Sequence, residues 1–131
     1  MPKRAVTSEK LPRPSGHFAQ AIEAPASGRL LFISGMIAKD ASGTLVGRGD
    51  IALQTRQVCE NLKAAVEAAG GTLEDICRVD VYIRNMEHFP EIHAVRREYF
   101  TGVAPASTMV EVTKFTTPDA LIEINAIAVL G

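Results

Sequence analysis

From Arg78 to Arg84 the chain alternates strictly, with Val79, Val81 and Ile83 on one side and Asp80, Tyr82 and Arg84 on the other. A period of two predicts a half-buried strand. Upstream the period changes: Ile51, Val58, Leu62, Ala65, Val66 and Ala69 return at helical spacing, Asp50 stands at the N-cap position, and Gly70-Gly71 follows the last apolar residue. This predicts a long helix stopped by the glycine pair. Thr72-Leu-Glu-Asp75 has capping-box spacing and predicts a short turn ahead of the strand. A second helix is predicted at about 87–100, with Phe89, Ile92, Tyr99 and Phe100 as its apolar stripe and Pro90 in its first turn.

The remaining segments read as strands and loops. Phe18 to Ala24 alternates weakly, Arg29-Leu-Leu-Phe-Ile-Ser34 is an apolar run, and Pro25-Ala-Ser-Gly28 between them predicts a hairpin. Two more strand-like runs, 105–112 and 121–128, close the chain and are joined near Thr116-Thr-Pro-Asp119. Residues 1–16, rich in Pro, Lys and Ser, read as an N-terminal arm ahead of a domain at 17–131. Strands with intervening helices in so short a chain predict an α+β domain, a mixed sheet with two helices packed on one face. On the last strand Ile122, Ile124, Ala126 and Ala128 suit that helix contact, leaving Leu121, Glu123, Asn125, Ile127 and Val129 opposite. The second face is too apolar for water, so burial against another subunit is expected.

Length and composition narrow the function classes. A chain of 131 residues supports one domain with its own core. Apolar residues make up 47% and charged ones 22%, as in soluble globular proteins, and no apolar run is long enough to cross a bilayer. The formal charge of −1, without a Lys/Arg cluster interleaved with aromatics, argues against nucleic acid. Cys59 and Cys77 lack metal or redox spacing and read as buried thiols, and the three histidines are too dispersed for a metal site. With no apolar segment before Pro12 that resembles a secretory signal, a reducing cytoplasm is expected.

Several segments, in order, match one known pattern: Gly16-His-Phe-Ala-Gln20, Phe32-Ile-Ser-Gly35, Gln54-Thr-Arg56 with Asn61-Leu62, Pro105-Ala-Ser-Thr108, and Glu123. The chain resembles the RidA (YjgF) family of small imine and enamine deaminases over nearly its whole length after the arm. That resemblance implies a chorismate-mutase-like fold, a homotrimer whose sheets surround a central barrel, and clefts between subunits. It also implies hydrolysis of a reactive imine or enamine to a carbonyl compound and ammonia, without a metal or organic cofactor. Glu123 takes the position of the carboxylate that orients or activates water, and Ser34 and Gly35 match the substrate-binding turn.

The other half of the pattern departs from the family. Its arginine is replaced by Ser107, its early tyrosine by Phe18, its helix asparagine by His93 and its common cysteine by Met109. A serine hydroxyl reproduces neither the charge nor the fork of a guanidinium. Losing such a contact costs on the order of 2–5 kcal/mol, roughly thirtyfold to several-thousandfold in affinity. A preference shifted away from small 2-imino acids is therefore expected, in a pocket shaped by Phe18, His93, Ser107 and Met109. Lys114 and Arg84 are the cations considered as replacements, but strand alternation turns Lys114 away from Ser107.

Ser34 has no Gly-x-Ser-x-Gly context, which leaves it a hydrogen-bond donor rather than a nucleophile. Glu111 reads as structural, His17 as flanking the cleft mouth, and His88 as facing solvent. His93 reads either as an ordinary solvated or core ring or as a donor toward an anion or carbonyl. The alternative to an enzyme is a trimeric protein that binds a small metabolite without turnover. A nuclease role finds no basic groove.

Overall fold

A computed structural model describes residues 3–131. Met1 and Pro2, the start of the expected arm, lie outside the described residues. The elements are β1 (Arg4–Val6), β2 (Ala21–Glu23), β3 (Arg29–Met36), α1 (Ile51–Ala68), β4 (Ile76–Ile83), α2 (Phe89–Tyr99), β5 (Ala106–Glu111) and β6 (Ile122–Leu130), with single 3-10 turns before β4 and α2. β3, β6, β4 and β5 lie side by side in that order; β6 runs antiparallel to both neighbours, and β4 pairs with β5 in parallel. The mixed α+β sheet is as expected.

Both helices cover one face. Val79, Val81 and Ile83 of β4 and Ile122, Ile124, Ala126 and Ala128 of β6 are buried there with Val58, Leu62 and Val66 of α1 and Ile92 of α2. Each large aliphatic side chain contributes about 1.5–3 kcal/mol by leaving water. Asp50 caps α1 by accepting from the Leu53 N–H at 3.1 Å. The Asp75 carboxylate accepts from the Thr72 N–H at 2.8 Å, closing the turn before β4.

One sequence expectation is corrected. The predicted hairpin between 18–24 and 29–34 does not form, since β3 pairs with β6 and β2 pairs with β1. β3 can bury Ile33 beneath the helices only beside β6, whereas β2 has Ile22 alone between two exposed residues. The segment set apart as an arm is accordingly docked on the domain through β1, and the Lys3 ammonium donates to the Ile76 carbonyl. The two terminal strands, β5 and β6, lie on either side of β4.

Two α1 residues from the family pattern fix the frame of the site. Buried Gln54 donates to the carbonyls of Gly47 (3.1 Å) and Asp119 (3.0 Å) and accepts from the Leu121 N–H (2.8 Å), pinning the entry to β6. Asn61 donates to the carbonyls of Ile37 and Lys39, holding the chain that leaves β3. The opposite sheet face is uncovered in the single chain: Leu30 is 63% and Phe32 69% exposed on β3 beside half-buried Ile127 of β6, and Val110 is exposed on β5 at the other edge.

Candidate active site

Two groups of expected site residues lie on opposite faces of the sheet. Glu123 pairs with Tyr82, so its side chain projects to the uncovered face. The β3–β6 register shifts between Ile33 and Met36, which makes Ser34-Gly35 a bulge directly beside Glu123. The carboxylate rests over Gly35, where an added Cβ would lie 2.8 Å from Glu123 Cδ and closer still to Oε2. Ser34, Gly35 and Glu123 are thus one group, open to solvent in the isolated chain.

Ser107 and Met109 pair with Val79 and Val81 and so point to the helix-covered face. There they meet α2 around a cavity of about 250 Å³. Phe18, Met86, Phe89 and Met109 supply its apolar wall, and His93, Arg96 and Ser107 its polar groups. All four departures from the family pattern therefore converge on this cavity.

His93 is buried and packs on Phe89, with ring centroids 3.9 Å apart. Gly16 admits the ring edge, since a Cβ there would stand 3.2 Å from His93 Cδ2 and closer to Nε2. Burial, reinforced by the positive charges of Arg96 and Arg97, lowers the His93 pKa to about 4, so the ring is neutral near pH 7. Its Nδ1 is buried without a hydrogen-bond partner. His17 is tied to the end of α2 by a 2.7 Å hydrogen bond between its Nε2 and the Phe100 carbonyl.

Arg96 is the residue that sequence reasoning missed. It is 1% exposed, lines the cavity, and donates from Nη2 to Ser107 Oγ at 3.2 Å. Its Nε is buried without a partner, and burial lowers its pKa from the ordinary value. The nearby Cys59 thiol is pushed up to about 12 by burial, so it stays neutral and offers no counter-charge. The expectation that replacing the arginine at 107 empties the cleft of a guanidinium is therefore corrected, since α2 supplies one. A signal was present: Arg96 follows Phe89, Ile92 and His93 at helical spacing, on the stripe otherwise read as apolar.

Residues 8–130 match the family described as Endoribonuclease L-PSP. The chain belongs to this family, the RidA (YjgF) family. The RidA-family chain is 44% identical over 126 residues to a RutC family protein of Pyrococcus horikoshii, covering 96% of this chain and 97% of the relative. It is 33% identical over 129 residues to the 2-iminobutanoate/2-iminopropanoate deaminase of Dermatophagoides farinae, covering 98% of each. Among solved structures, the Rid-family protein YyfB of Yersinia pestis matches with a TM-score of 0.90 at 36% identity, over 99% of this chain and 100% of that one.

Other expectations for the RidA-family chain resolve more simply. Lys114 and Arg84 line a different depression with Phe115 and Pro118, so neither reaches Ser107. Glu111 accepts from the Met86 N–H at 2.8 Å. His88 is half-buried rather than solvent-facing, because α2 begins directly after it. Cys59 is buried as expected, but Cys77 at the start of β4 is only partly so. Among the described residues no helix is long and apolar enough to cross a membrane.

Proposed function

We propose that this protein is a cytoplasmic hydrolytic deaminase that converts a reactive imine or enamine to a carbonyl compound and ammonia, as a homotrimer with its clefts between subunits. The carrying observation is the separation of the two groups: Glu123 over Gly35 on one sheet face, the cavity beside Ser107 and Met109 on the other. Neither group faces the other within one chain. Copies that bury the exposed Leu30 and Phe32 face against one another would bring one copy's Glu123 to a neighbour's cavity. The deaminase activity in the name of the Dermatophagoides farinae relative supports the same reading.

In this reading Glu123 orients a water molecule and takes its proton as the water oxygen bonds to the imine carbon. The C=N electron pair moves to nitrogen, which takes up a proton. The proton on Glu123 then passes to nitrogen, the C–N bond breaks, and the hydroxyl oxygen closes the C=O bond by releasing its proton to water, replacing the one that nitrogen took from water, so that a carbonyl compound and ammonia result. An enamine enters the same route after protonation at carbon. Ser34 and the Gly35 backbone bind the reacting group, while Phe18, His93, Ser107 and Met109 shape the pocket. Its apolar wall favours side chains larger than those of small 2-imino acids. Holding water and imine carbon together supplies much of the acceleration, so no metal or organic cofactor is required.

The test follows decay of freshly generated 2-iminobutyrate and of the imine of phenylpyruvate above their spontaneous rates. Acceleration of both, larger for the aromatic imine, is expected. Glu123→Gln is expected to lower the rate by about 10²-fold or more. Absence of any acceleration would leave the protein a trimeric binder of small metabolites instead, and an accelerated rate unchanged in Glu123→Gln would remove Glu123 from the reaction.

A further inference from the structure

We propose that Arg96 is the anion anchor of the cavity, holding the carboxylate of a 2-imino or 2-enamino acid whose apolar side chain lies against Phe18, Phe89 and Met109. This rests on the deaminase reading for the reaction, but it specifies what the substrate must carry.

The argument begins with an unbalanced charge. Among the described residues the Arg96 side chain makes one hydrogen bond, to Ser107, and no ion pair. A guanidinium has five N–H donors, and here Nε is buried with none of its capacity used. A charge removed from water without a counter-ion is a standing cost to the fold. The surroundings do not relieve it: His93, one turn earlier on α2, is neutral, and Cys59 is a neutral thiol. Arg96 lines the cavity although Nε itself is enclosed, so a bound carboxylate is the group that can meet the free donors at the guanidinium tip.

Ser107 explains why the guanidinium is held there. Its hydroxyl accepts one Nη2 N–H, turning the fork while the other donors stay available. Ser107 is therefore a positioning residue, and the cation reaches the cavity from α2 rather than from β5. The apolar wall decides the rest of the ligand: Phe18, Met86, Phe89 and Met109 offer contact area but no charge. An acid with an aromatic or branched side chain fits this division, whereas an uncharged imine would leave Arg96 buried and unpaired.

Phenylpyruvate and its methyl ester, measured by calorimetry on the wild-type protein, provide the first test. The acid is expected to bind at least thirtyfold more tightly than the neutral ester. Equal affinity for the two would overturn the proposal. Arg96→Met is expected to lose the preference for the acid and to melt at a higher temperature than wild type without ligand, because a buried unpaired charge is gone. A purely structural Arg96 predicts the opposite, a lower melting temperature with the acid preference intact. The double variant Arg96→Met with Ser107→Arg moves the guanidinium to β5 and is expected to recover acid binding; failure to recover it would count against a carboxylate site.

These outcomes separate the two proposals. Acid binding that depends on Arg96, with no acceleration of imine decay, would remove the deaminase reading and leave the anchor. Acceleration with no distinction between acid and ester would do the reverse. The acid-ester comparison uses the wild type alone and stands even where a substitution at Arg96 prevents folding.

Discussion

The carboxylate of Glu123 sits directly over the α-carbon of Gly35, so close that a Cβ at residue 35 would stand 2.8 Å from its Cδ and 3.1 Å from its Cγ. The glycine is required for space rather than for backbone conformation, because Gly35 is not among the residues with positive φ. It lies in the bulge that β3 makes opposite β6, and the bulge and the missing side chain together leave the carboxylate its place.

Gly35→Ala therefore isolates the position of Glu123 from its chemistry. The new methyl group pushes the carboxylate aside, and imine hydrolysis is expected to fall by about 10²-fold, the usual cost of displacing a catalytic group by about 1 Å. The melting temperature should change little, since residue 35 is exposed and its backbone suits alanine. Imine decay and a thermal melt on the same sample check both halves. Full activity in Gly35→Ala would remove Glu123 from the reaction.

Phe32→Asp tests whether the site needs a second copy. Phe32 is 69% exposed on the uncovered face, far from the cavity across the sheet. A carboxylate there opposes burial of that face, so light scattering should give the monomer mass for Phe32→Asp and the mass of the proposed trimer for the wild type. Hydrolysis should be lost with assembly although Glu123 and Arg96 are untouched. A monomer that keeps the wild-type rate would place the whole site within one chain.

Sequence comparison alone suggests that Ser107→Arg should restore the family's cation. The structure predicts otherwise. Arg96 Nη2 already lies 3.2 Å from Ser107 Oγ, so a second guanidinium would enter the same cavity with no carboxylate between them. The expected result is a melting temperature lower by several degrees and no gain in rate, measured by calorimetry and imine decay.

His93 sets a pH dependence of stability whose sign is determined. Its pKa is lowered from 6.5 to about 4 by burial and then by Arg96 and Arg97, with His17 adding a smaller effect. The unfolded chain therefore binds a proton near pH 6.5 that the folded chain refuses until about pH 4, and stability falls as pH drops through that window. Denaturant titrations between pH 4 and 7 should show this slope, and His93→Asn should flatten it. An NMR titration placing the His93 ring near its ordinary pKa would contradict the prediction.

Much of this protein was determined locally. The alternation of Val79, Val81 and Ile83, the helical return of Val58, Leu62 and Val66, and the Asp50 cap depend on neighbours in the chain, and each appears where the pattern placed it. Glu123 beside Ser34-Gly35 was legible through the order of the family's segments. What only the tertiary structure decided is long-range. β3 chose β6 over β2 because burial beneath two helices outweighs the short loop of a hairpin, and that choice put Gly35 against Glu123. The cation at Ser107 comes from Arg96, eleven residues earlier in sequence, because the inner stripe of α2 and the helix-side face of β5 line the same cavity. A linear pattern records which residue types are present; whether a charge on a helix meets water or a cavity depends on what packs against that helix.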